Sequence, residues 1–480
     1  MKSKVDMKND RICVATDEDL RVLQVAYKMW RLGGMLRSKR RRNKEFTYGS
    51  QWGDIVIDER GNKVTEGERF ANHGCVPLTN NLIRQMVKTV VGRFRAKQNE
   101  SDGALKGVYN NCMLRELDSR CLEDFLISGV VVQRVDVEHD IFASNVRVDN
   151  VNINKFFMNQ LSDCRGWDDE IVGQLHDFSI AELVHKVCRG NRELAEAIRA
   201  VYSNNVDGRI EDFCTNIGAD SQSGTDFWHS TNGKCRAIEV WTLESREVLI
   251  VHNTSNASVE ILPYSKELMG KMEKEGIPVR WDVAKVWRCR WFSPMGDLLC
   301  SYYSPYGHGS HPFVIKMYPL TDGEVHSLVE DVIGQQKYVN RLITMLDHMM
   351  DSSAKGVLLY PVDAMPEGFT WRDIRRIWAS ADGVLPFSER DCDAKPEQIV
   401  GKPNDLGAYD MINLQMKLFE YVSGVNGALQ GHHQGGNSSA LYKDEVENSD
   451  IAIGDLLLTF ETFLRLRDNK VKRVLANVEN

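Results

Sequence analysis

The sequence lacks the segments that would send the chain into or across a membrane. Its first ten residues are charged, without the apolar stretch of a signal peptide, and no window approaches the roughly eighteen apolar residues of a membrane span. These absences predict a protein of the cytoplasm with no membrane partner. The Asn-x-Ser/Thr matches at Asn253, Asn256 and Asn437 are then chance, because N-glycosylation requires secretion.

Patterned metal ligands and catalytic motifs are missing as well. The 11 cysteines are scattered, without a CxxC pair, which is typical of buried, reduced thiols and predicts neither a metal nor another cofactor. No GxxxxGK[ST] phosphate loop occurs, since Gly334-Gln-Gln-Lys337 lacks the glycine framework, and GxSxG and HExxH are absent. The groups His176-Asp177 and Glu138-His139-Asp140 are more typical of surfaces than of acid–base sites. The sequence therefore predicts a structural protein rather than an enzyme.

An excess of basic residues is also lacking. The chain has 60 Lys and Arg against 68 Asp and Glu, a formal net charge of -8. This balance argues against a static grip on nucleic acid over a broad basic face, which depends on neutralising phosphates. A surface past which nucleic acid slides remains allowed. The basic run Arg37-Ser-Lys-Arg-Arg-Arg42 could bind phosphate or an acidic partner, but a solvated helix end is the simpler interpretation.

What the sequence does contain is enough apolar material, 42% of residues, for more than one core. Helical and strand patterns are mixed in its first two thirds, which predicts an α+β fold. Helices are predicted over residues 17–36, 77–94 (opened by Pro77), 109–125 and, as a pair split near Gly190, 180–202. Strands are predicted over residues 130–137, 146–157, 237–252, 285–292, 298–303 and 311–315, with a polar loop over 208–233.

The strongest pattern follows Asp322-Gly323 and predicts one continuous helix over residues 323–351, roughly 40 Å long at 1.5 Å per residue. Eight positions step by three and four residues, and the only polar one is Gln335. Such a stripe is typical of assembly between subunits, although a helix within one chain's own core would show it too. The eight positions are Val325, Leu328, Val332, Gln335, Val339, Leu342, Leu346 and Met349.

A small unit and a second helix follow. Gly356–Tyr360 and Gly383–Phe387 are predicted strands, and Trp371–Trp378 is a predicted helix between them. Helical spacing returns over 408–425, then a glycine-rich polar loop covers 424–438. A last helical region begins near Ser439 and ends in the basic stretch 470–473.

This order of parts resembles that of tailed-bacteriophage portal proteins, over most of the chain. The segments that carry the resemblance are short, and only their order and spacing together are specific. They are Tyr48-Gly-Ser-Gln-Trp52, Pro77-Leu-Thr-Asn-Asn-Leu-Ile83, His311-Pro-Phe-Val314, Gln335-Gln-Lys-Tyr-Val-Asn340, Gly356–Tyr360 and Gly436-Asn-Ser-Ser-Ala440.

The resemblance implies a portal-type architecture of wing, two-helix stem, small α/β clip and tunnel loop. The wing would be residues 1–322, the stem helices 323–352 and 405–423, the clip 353–404 and the tunnel loop 424–440. Residues 441–480 would be a C-terminal wing helix and the start of any crown, which is short or absent because the chain ends at Asn480.

It also implies a function: a ring of about twelve subunits at one capsid vertex of the virion, assembled in the host cytoplasm, through which double-stranded DNA is packaged and ejected. The implied partners are the terminase large subunit, then an adaptor or head–tail connector, and the major capsid protein and scaffold. The stem positions Val325, Leu328, Val332, Gln335, Val339, Leu342 and Leu346 would contact neighbouring subunits, with Gln335 setting register or facing the channel.

Two further sets of residues follow from the same resemblance. The tunnel loop would bring neutral amides and imidazoles near DNA, where they allow sliding: Asn426, Gln430, His432, His433, Gln434 and Asn437. For the His432-His433 pair, a disordered loop or an accidental metal contact is the alternative. The clip would meet the motor or adaptor through Trp371, Arg372, Arg375, Arg376 and Trp378, unless both tryptophans pack the clip's own core.

Other classes remain open on the sequence alone. Another phage ring or scaffold protein, or a helical-hairpin protein with no DNA role, would share the long helix without needing to form a large ring. A packaging ATPase, the neighbouring enzyme class, is disfavoured by the missing phosphate loop.

Overall fold

A computed structural model describes most of the chain. The described residues are 15–98, 103–139, 144–188, 191–206, 226–230, 234–253, 258–275, 277–355, 357–379, 384–388, 395–399, 407–425 and 451–478. They form two compact units. The first unit takes its residues from 1–47, 85–331 and 424–480, and the second from 48–84 and 332–423.

The described residues mix helices with antiparallel strands, in agreement with the predicted α+β class. The helices are α1 (Asp17–Leu32), α2 (Gly34–Thr47), α3 (Glu66–Asn72), α4 (Leu82–Lys97), α5 (Lys106–Asn111), α6 (Leu114–Ser128), α7 (Ile180–Cys188), α8 (Arg192–Val206), α9 (Lys266–Lys274), α10 (Leu328–Lys355), α11 (Trp371–Ala379), α12 (Ala408–Ser423) and α13 (Gly454–Val478). The strands are β1 (Ile55–Ile57), β2 (Lys63–Thr65), β3 (Val130–His139), β4 (Ser144–Asn150), β5 (Phe156–Met158), β6 (Ile171–Phe178), β7 (Cys235–Asn253), β8 (Ser258–Pro263), β9 (Val279–Phe292), β10 (Leu298–Tyr303), β11 (Phe313–Met317), β12 (Leu320–Thr321), β13 (Glu324–Val325), β14 (Val357–Leu359) and β15 (Glu397–Ile399).

The first unit is built on a six-stranded antiparallel sheet of order β10-β9-β7-β6-β5, with β8 paired to β7. Helix α1 packs on this sheet through Leu23 and Ala26, which join a core with Phe157, Ile238 and Phe292. The helix begins where the sequence predicts, because Thr16 and Asp19 form a reciprocal capping box. Burial of this apolar stripe is what fixes α1 on the sheet.

A second sheet in the same unit has the order β11-β3-β4 and carries α6 and α13. Phe460 of α13 is fully buried and lies against the rings of Phe94, Phe125 and Phe463, at centroid distances of 5.3, 5.8 and 5.7 Å. Four aromatic rings in tilted or edge contact contribute dispersion beyond the area that they bury. These ring contacts stabilise the packing of the C-terminal helix α13.

The sheet of the first unit also buries a network of charges around Glu239. Arg134 and His176 bind one carboxylate oxygen of Glu239, and the indole of Trp241 donates to the other at 2.8 Å. Burial alone would raise the pKa of Glu239, but the charge of Arg134 and the hydrogen bond with His176 lower it to about 2. Burial lowers the pKa of His176 to about 4, so the imidazole is neutral at pH 7.

The expectation that His176 and Asp177 lie at the surface is therefore wrong. His176 is buried, and the side chain of Asp177 is 6% exposed and receives hydrogen bonds from Arg236 at 2.7 Å and Lys155 at 2.7 Å. Their roles are structural, because every charge in the network has a buried partner. The scattered cysteines of the described residues are free thiols; four are buried as expected, but Cys164 is exposed.

The basic run after the first helix is also not simply solvated. Gly33 breaks the predicted 17–36 helix, and the run continues as α2. Arg37 is buried, donates to the carbonyl of Trp30 at 2.7 Å and stacks 4.0 Å from its ring. Arg40 binds Asp124 of α6 at 2.7 Å. Arg37 and Arg40 therefore bind α2 to α1 and α6, whereas Arg41 and Arg42 of the same run are exposed.

Three other predicted bounds are wrong for local reasons. Helix 109–125 is interrupted before Leu114 because Met113 adopts a left-handed conformation, φ 47°. The predicted strand 146–157 ends at Asn150, and a turn separates it from β5. The described part of the predicted strand Gly383–Phe387 has no regular structure, and β14 pairs instead with β15, which the sequence did not reveal.

Replacing Arg467 with Leu should lower the free energy of unfolding by about 3–5 kcal/mol, because Asp118 would be left buried without its cation. The Arg467 and Asp118 side chains are 0% and 1% exposed, and Arg467 also donates to the hydroxyl of Tyr109. Urea unfolding followed by circular dichroism measures the change. Arg465→Leu, on an exposed position of the same helix, is the matched control and should alter stability by less than about 0.5 kcal/mol. Equal effects of the two substitutions would contradict the role given to the buried pair.

Candidate functional site

The long helix α10 is the candidate site because most of the segments singled out from the sequence lie on it or beside it. It begins at Leu328, not at residue 323. Asp322 and Gly323 have positive φ angles of 52° and 79° and turn the chain between β12 and β13, so Val325 lies in a strand. The hydroxyl of Ser327 accepts a hydrogen bond from the amide of Glu330 at 3.1 Å and caps the helix start. The helix runs to Lys355, three residues past the predicted end of the first stem helix.

The predicted apolar seam of α10 divides into buried and exposed parts. Val332 and Val339 are fully buried within this chain, so their assignment to a contact between subunits is wrong. Leu328, Gln335, Leu342 and Leu346 are partly exposed. The buried face of the helix is turned by about one position from the predicted seam, and its polar members are Gln336, Asn340 and Thr344 and not Gln335.

Gln336 holds an extended segment of backbone against α10. Its Oε1 accepts hydrogen bonds from the amides of Leu82 and Ile83 at 2.9 and 3.2 Å, and its Nε2 donates to the carbonyl of Asn80 at 2.6 Å. The side chain is 0% exposed. A buried amide group can satisfy both donors and acceptors, so Gln336 pairs backbone groups that would otherwise be left unbonded.

Two more polar side chains continue this ladder at steps of four residues along α10. Asn340 accepts from the amide of Asn80 at 3.0 Å, and Thr344 accepts from the amide of Leu78 at 3.0 Å. Both are buried. Residues 78–80 are therefore extended against α10, and the prediction that Pro77 opens a helix is wrong: α4 begins at Leu82.

A third segment closes the arrangement. Gln51 accepts from Asn340 at 2.6 Å and donates to Asn81 at 3.1 Å. Asn81 caps α4 by accepting from the amide of Arg84 at 3.0 Å. We call Gln51, Asn81, Gln336, Asn340 and Thr344 the polar clasp. It joins three of the segments that carried the family resemblance, 48–52, 77–83 and 335–340.

Ion pairs flank the polar clasp on the adjoining face of α10. Lys337 lies 2.8 Å from both Asp54 and Glu66, and Arg341 binds the other oxygen of Glu66 at 2.5 Å. Burial alone would raise the pKa of Glu66, but hydrogen bonds from Arg341 and Lys337 lower it below its ordinary value. The carboxylate thus remains charged and holds the start of α3 to the long helix.

Helix α12 has the opposite character: it is apolar on nearly all sides and lies exposed. Its sequence holds three charged residues, Asp410, Lys417 and Glu420, among sixteen. Tyr409, Leu414 and Tyr421 are 64%, 49% and 79% exposed, and Phe419 alone among the large apolar side chains described on α12 is buried. Met411, Met416, Leu418 and Val422 are also exposed. A contiguous apolar surface of this kind marks an interaction site.

The small unit between α10 and α12 contains the predicted interface residues. Trp371 opens α11, packs edge-on against Tyr360 at 6.1 Å and is still 51% exposed. Trp371 therefore packs partly within its own unit, and its contact with a motor or adaptor stays a prediction. Arg372, Arg375 and Arg376 are exposed, and Trp378 is partly buried.

Comparison with known proteins decides the family. The family model described as phage P22-like portal protein matches residues 175–466, which is more than half of the chain. The chain belongs to this portal family. A search of curated proteins found no significant relative. A phage portal role and a place in the viral capsid follow from the membership, and portal proteins are structural rather than enzymatic.

Some portal features fall outside the described residues. Asn426, Gln430, His432, His433, Gln434 and Asn437, assigned to the tunnel loop, all lie there. Among the residues that the structure does describe, no three His, Cys, Asp or Glu side chains lie close enough together to hold a metal ion. No helix of the described ranges is long and apolar enough to cross a membrane.

The polar clasp is the feature that sequence reasoning missed. A signal was available: Gln336, Asn340 and Thr344 repeat at intervals of four residues, which places them on one face of a helix. That stripe runs beside the apolar seam. Gln335 stands out in the sequence because it is the one polar position of the seam. In this portal chain, the neighbouring glutamine makes the contacts.

Replacing Gln336 with Leu should free residues 78–83, because the amides of Leu82 and Ile83 and the carbonyl of Asn80 would lose their partner. Each unsatisfied buried group costs about 1–3 kcal/mol. Hydrogen exchange measured by mass spectrometry should show faster exchange at Leu82 and Ile83 by tenfold or more, since about 1.4 kcal/mol corresponds to one factor of ten. Gln335→Leu is the matched control and should leave exchange in this segment unchanged. Unaltered protection in Gln336→Leu would rule out the clasp.

Replacing Glu66 with Gln should destabilise the protein at neutral pH and not in acid. The folded-state pKa is lowered, so the charged form stabilises the fold fully above about 4.5, the ordinary value, and this contribution is lost as pH falls through the folded value. Urea unfolding of both proteins at a series of pH values tests the sign. A difference that stays constant down to acid pH would show that the charge of Glu66 is not involved.

Proposed function

We propose that this chain is the portal subunit of a ring at one capsid vertex, with α10 and α12 as the two arms of its stem. The observation that carries the proposal is the exposed apolar surface of α12, in a chain of the portal family. A helix that is apolar on most sides is stable only when other surfaces cover it. In a closed ring, copies of the same chain supply that cover.

The partly exposed positions of α10 support the same arrangement. Leu328, Gln335, Leu342 and Leu346 stay in the proposed contact with neighbouring subunits, whereas Val332, Val339 and Val325 leave it. Tyr338 and Met345, which are 41% and 51% exposed, add apolar surface on the same helix. Each 100 Å² of apolar area covered by a neighbour contributes about 2.5 kcal/mol before the cost of association.

The ring would contain about twelve subunits and form the channel for packaging and ejecting double-stranded DNA. Residues 1–322 and 441–480 would form the wing, and 424–440 the tunnel loop. The six amide and imidazole residues of that loop would touch DNA weakly enough to let it slide.

The clip, residues 353–404, would meet the terminase large subunit and later the adaptor or head–tail connector. The exposed ring of Trp371 and the exposed guanidinium groups of Arg372, Arg375 and Arg376 support this role, because aromatic and arginine side chains are enriched at interfaces. The wing would face the major capsid protein and scaffold. Contacts with these partners would place the subunit at the portal vertex of the virion.

Leu414→Lys should prevent ring formation without unfolding the subunit, because Leu414 is 49% exposed in the single chain and would be covered in the ring. Native mass spectrometry and negative-stain images of the wild-type protein should show closed rings of about twelve copies with a central channel. The variant should sediment as smaller species with an unchanged circular dichroism spectrum.

Leu458→Lys is the matched control, since Leu458 lies on helix α13 and is 59% exposed. It should assemble like the wild type. A wild-type chain that remains monomeric at high concentration would refute the ring, and rings formed equally well by Leu414→Lys would remove α12 from the interface.

A further inference from the structure

The first unit contains an open cavity of about 530 Å³ that the proposed function does not use. Its walls come from the loop that follows β5, from β9, from the segment 308–315 and from α13. Trp167 lies at the rim with 74% of its surface exposed, and the guanidinium of Arg165 stacks 4.0 Å from its ring. Exposed tryptophan and arginine side chains are common anchors of protein interfaces.

Positive charge predominates in this cavity. Arg165, Lys470 and Arg473 line it, and Asp169 is the one acidic residue among its lining residues. Asp169 is already engaged, because its Oδ2 accepts a hydrogen bond from Nε2 of His311 at 2.7 Å. The amide of Phe313 donates to Nδ1 of His311 at 3.1 Å, which fixes the proton on Nε2. Arg165 is paired with Asp163 at 3.0 Å, so a ligand would mainly meet the charges of Lys470 and Arg473.

His308 also lines the cavity, but its unpaired ring nitrogen does not face it. The amide of Ser310 donates to Nδ1 of His308 at 3.1 Å, so in the neutral ring the proton is on Nε2. Burial lowers the pKa of His308 to about 3, with further lowering from the charges of Lys470, His311 and Arg473, so the ring is neutral at pH 7. Nε2 is buried and has no hydrogen-bond partner among the described residues. Because this atom has no exposed surface, His308 contributes no hydrogen-bond donor to a ligand in the open cavity.

Lys470 is positioned to donate a hydrogen bond to an anion in the cavity. Its Nζ donates to the carbonyls of His311 and Phe313, each at 2.7 Å, and one further hydrogen is left for a ligand. Burial lowers the pKa of Lys470 to about 7. An anion in the cavity would favour the charged ammonium.

The remaining wall is apolar and determines what kind of anion fits. Leu161, Trp287, Phe313 and Leu466 form it, together with Met158, Val314 and Ile315. Inorganic phosphate would leave the apolar wall exposed to water. The backbone of duplex DNA has no apolar group that could cover this wall. A peptide that carries an apolar residue next to a carboxylate would satisfy both walls.

We propose that this cavity binds a short acidic segment of a partner protein, with a carboxylate facing Lys470 and Arg473 and an adjacent apolar side chain against Trp287 and Leu466. The site lies in the first unit and is independent of the ring contacts proposed for α10 and α12. A small cavity that anchors one or two side chains suits a reversible contact with an extended peptide.

The test uses the full-length protein and a fluorescein-labelled peptide, GSLDEFG, whose binding is followed by fluorescence anisotropy. The double variant Arg165→Gln/Arg473→Gln should weaken binding by about tenfold or more, because it removes two cations from the cavity. Arg465→Gln, on the same helix outside the cavity, is the matched control and should bind like the wild type. The peptides GSLNQFG and GSADEAG, which lack the charges and the apolar residues respectively, should both bind more weakly.

Equal binding of GSLNQFG, or no binding of GSLDEFG at millimolar concentration, would overturn the proposal. Inorganic phosphate or duplex DNA that binds with the same dependence on Arg165 and Arg473, and more tightly than the peptide, would reassign the cavity to phosphate. Sedimentation of each variant reports the ring separately, so a loss of assembly is not mistaken for a loss of this site.

Discussion

The second unit depends on how a stretch of backbone without regular structure is satisfied away from water. Residues 78–81 cross α10 without regular structure, and Leu82 and Ile83 begin α4, where the first amides of a helix have no partner within the helix. The polar clasp supplies the missing partners from side chains, three of them on successive turns of one helix. Because each side chain matches particular backbone groups, a shift of the segment by one residue would break several hydrogen bonds at once. The clasp thus fixes register as well as contact.

The first unit solves a related problem with charges. Glu239, His176 and Arg134 are buried in the first unit, and Arg467 of α13 is buried with Asp118 of α6. Such groups gain little net stability over apolar ones, but each is costly to leave unpaired. They contribute to specificity, because a different packing of the same elements would leave a buried charge without its partner.

Much of the fold could be predicted from periodicity, because long amphipathic helices and β-branched runs report burial directly. The helices α1, α7, α8, α11 and α12 and the strands β3, β7, β9 and β10 were found in that way, apart from their ends. The start of α10 could not be predicted so well, because Val325 fits the apolar repeat although the turn at Asp322 and Gly323 puts it in a strand.

The polar clasp could not be predicted from hydrophobic periodicity, because its side chains are polar and their partners are more than 250 residues away in sequence. The cavity in the first unit depends on four separated segments, and no local pattern announces it.

Helix α12 has a consequence for the free subunit. In the proposed ring, neighbouring copies cover the apolar side chains that the described residues leave in water, so the stability of the subunit rises with protein concentration. At the low concentrations of early synthesis, the same surface is open to unspecific association. Assembly of this protein then depends on relative rates: association with the correct neighbour must be faster than unspecific association of the same surface.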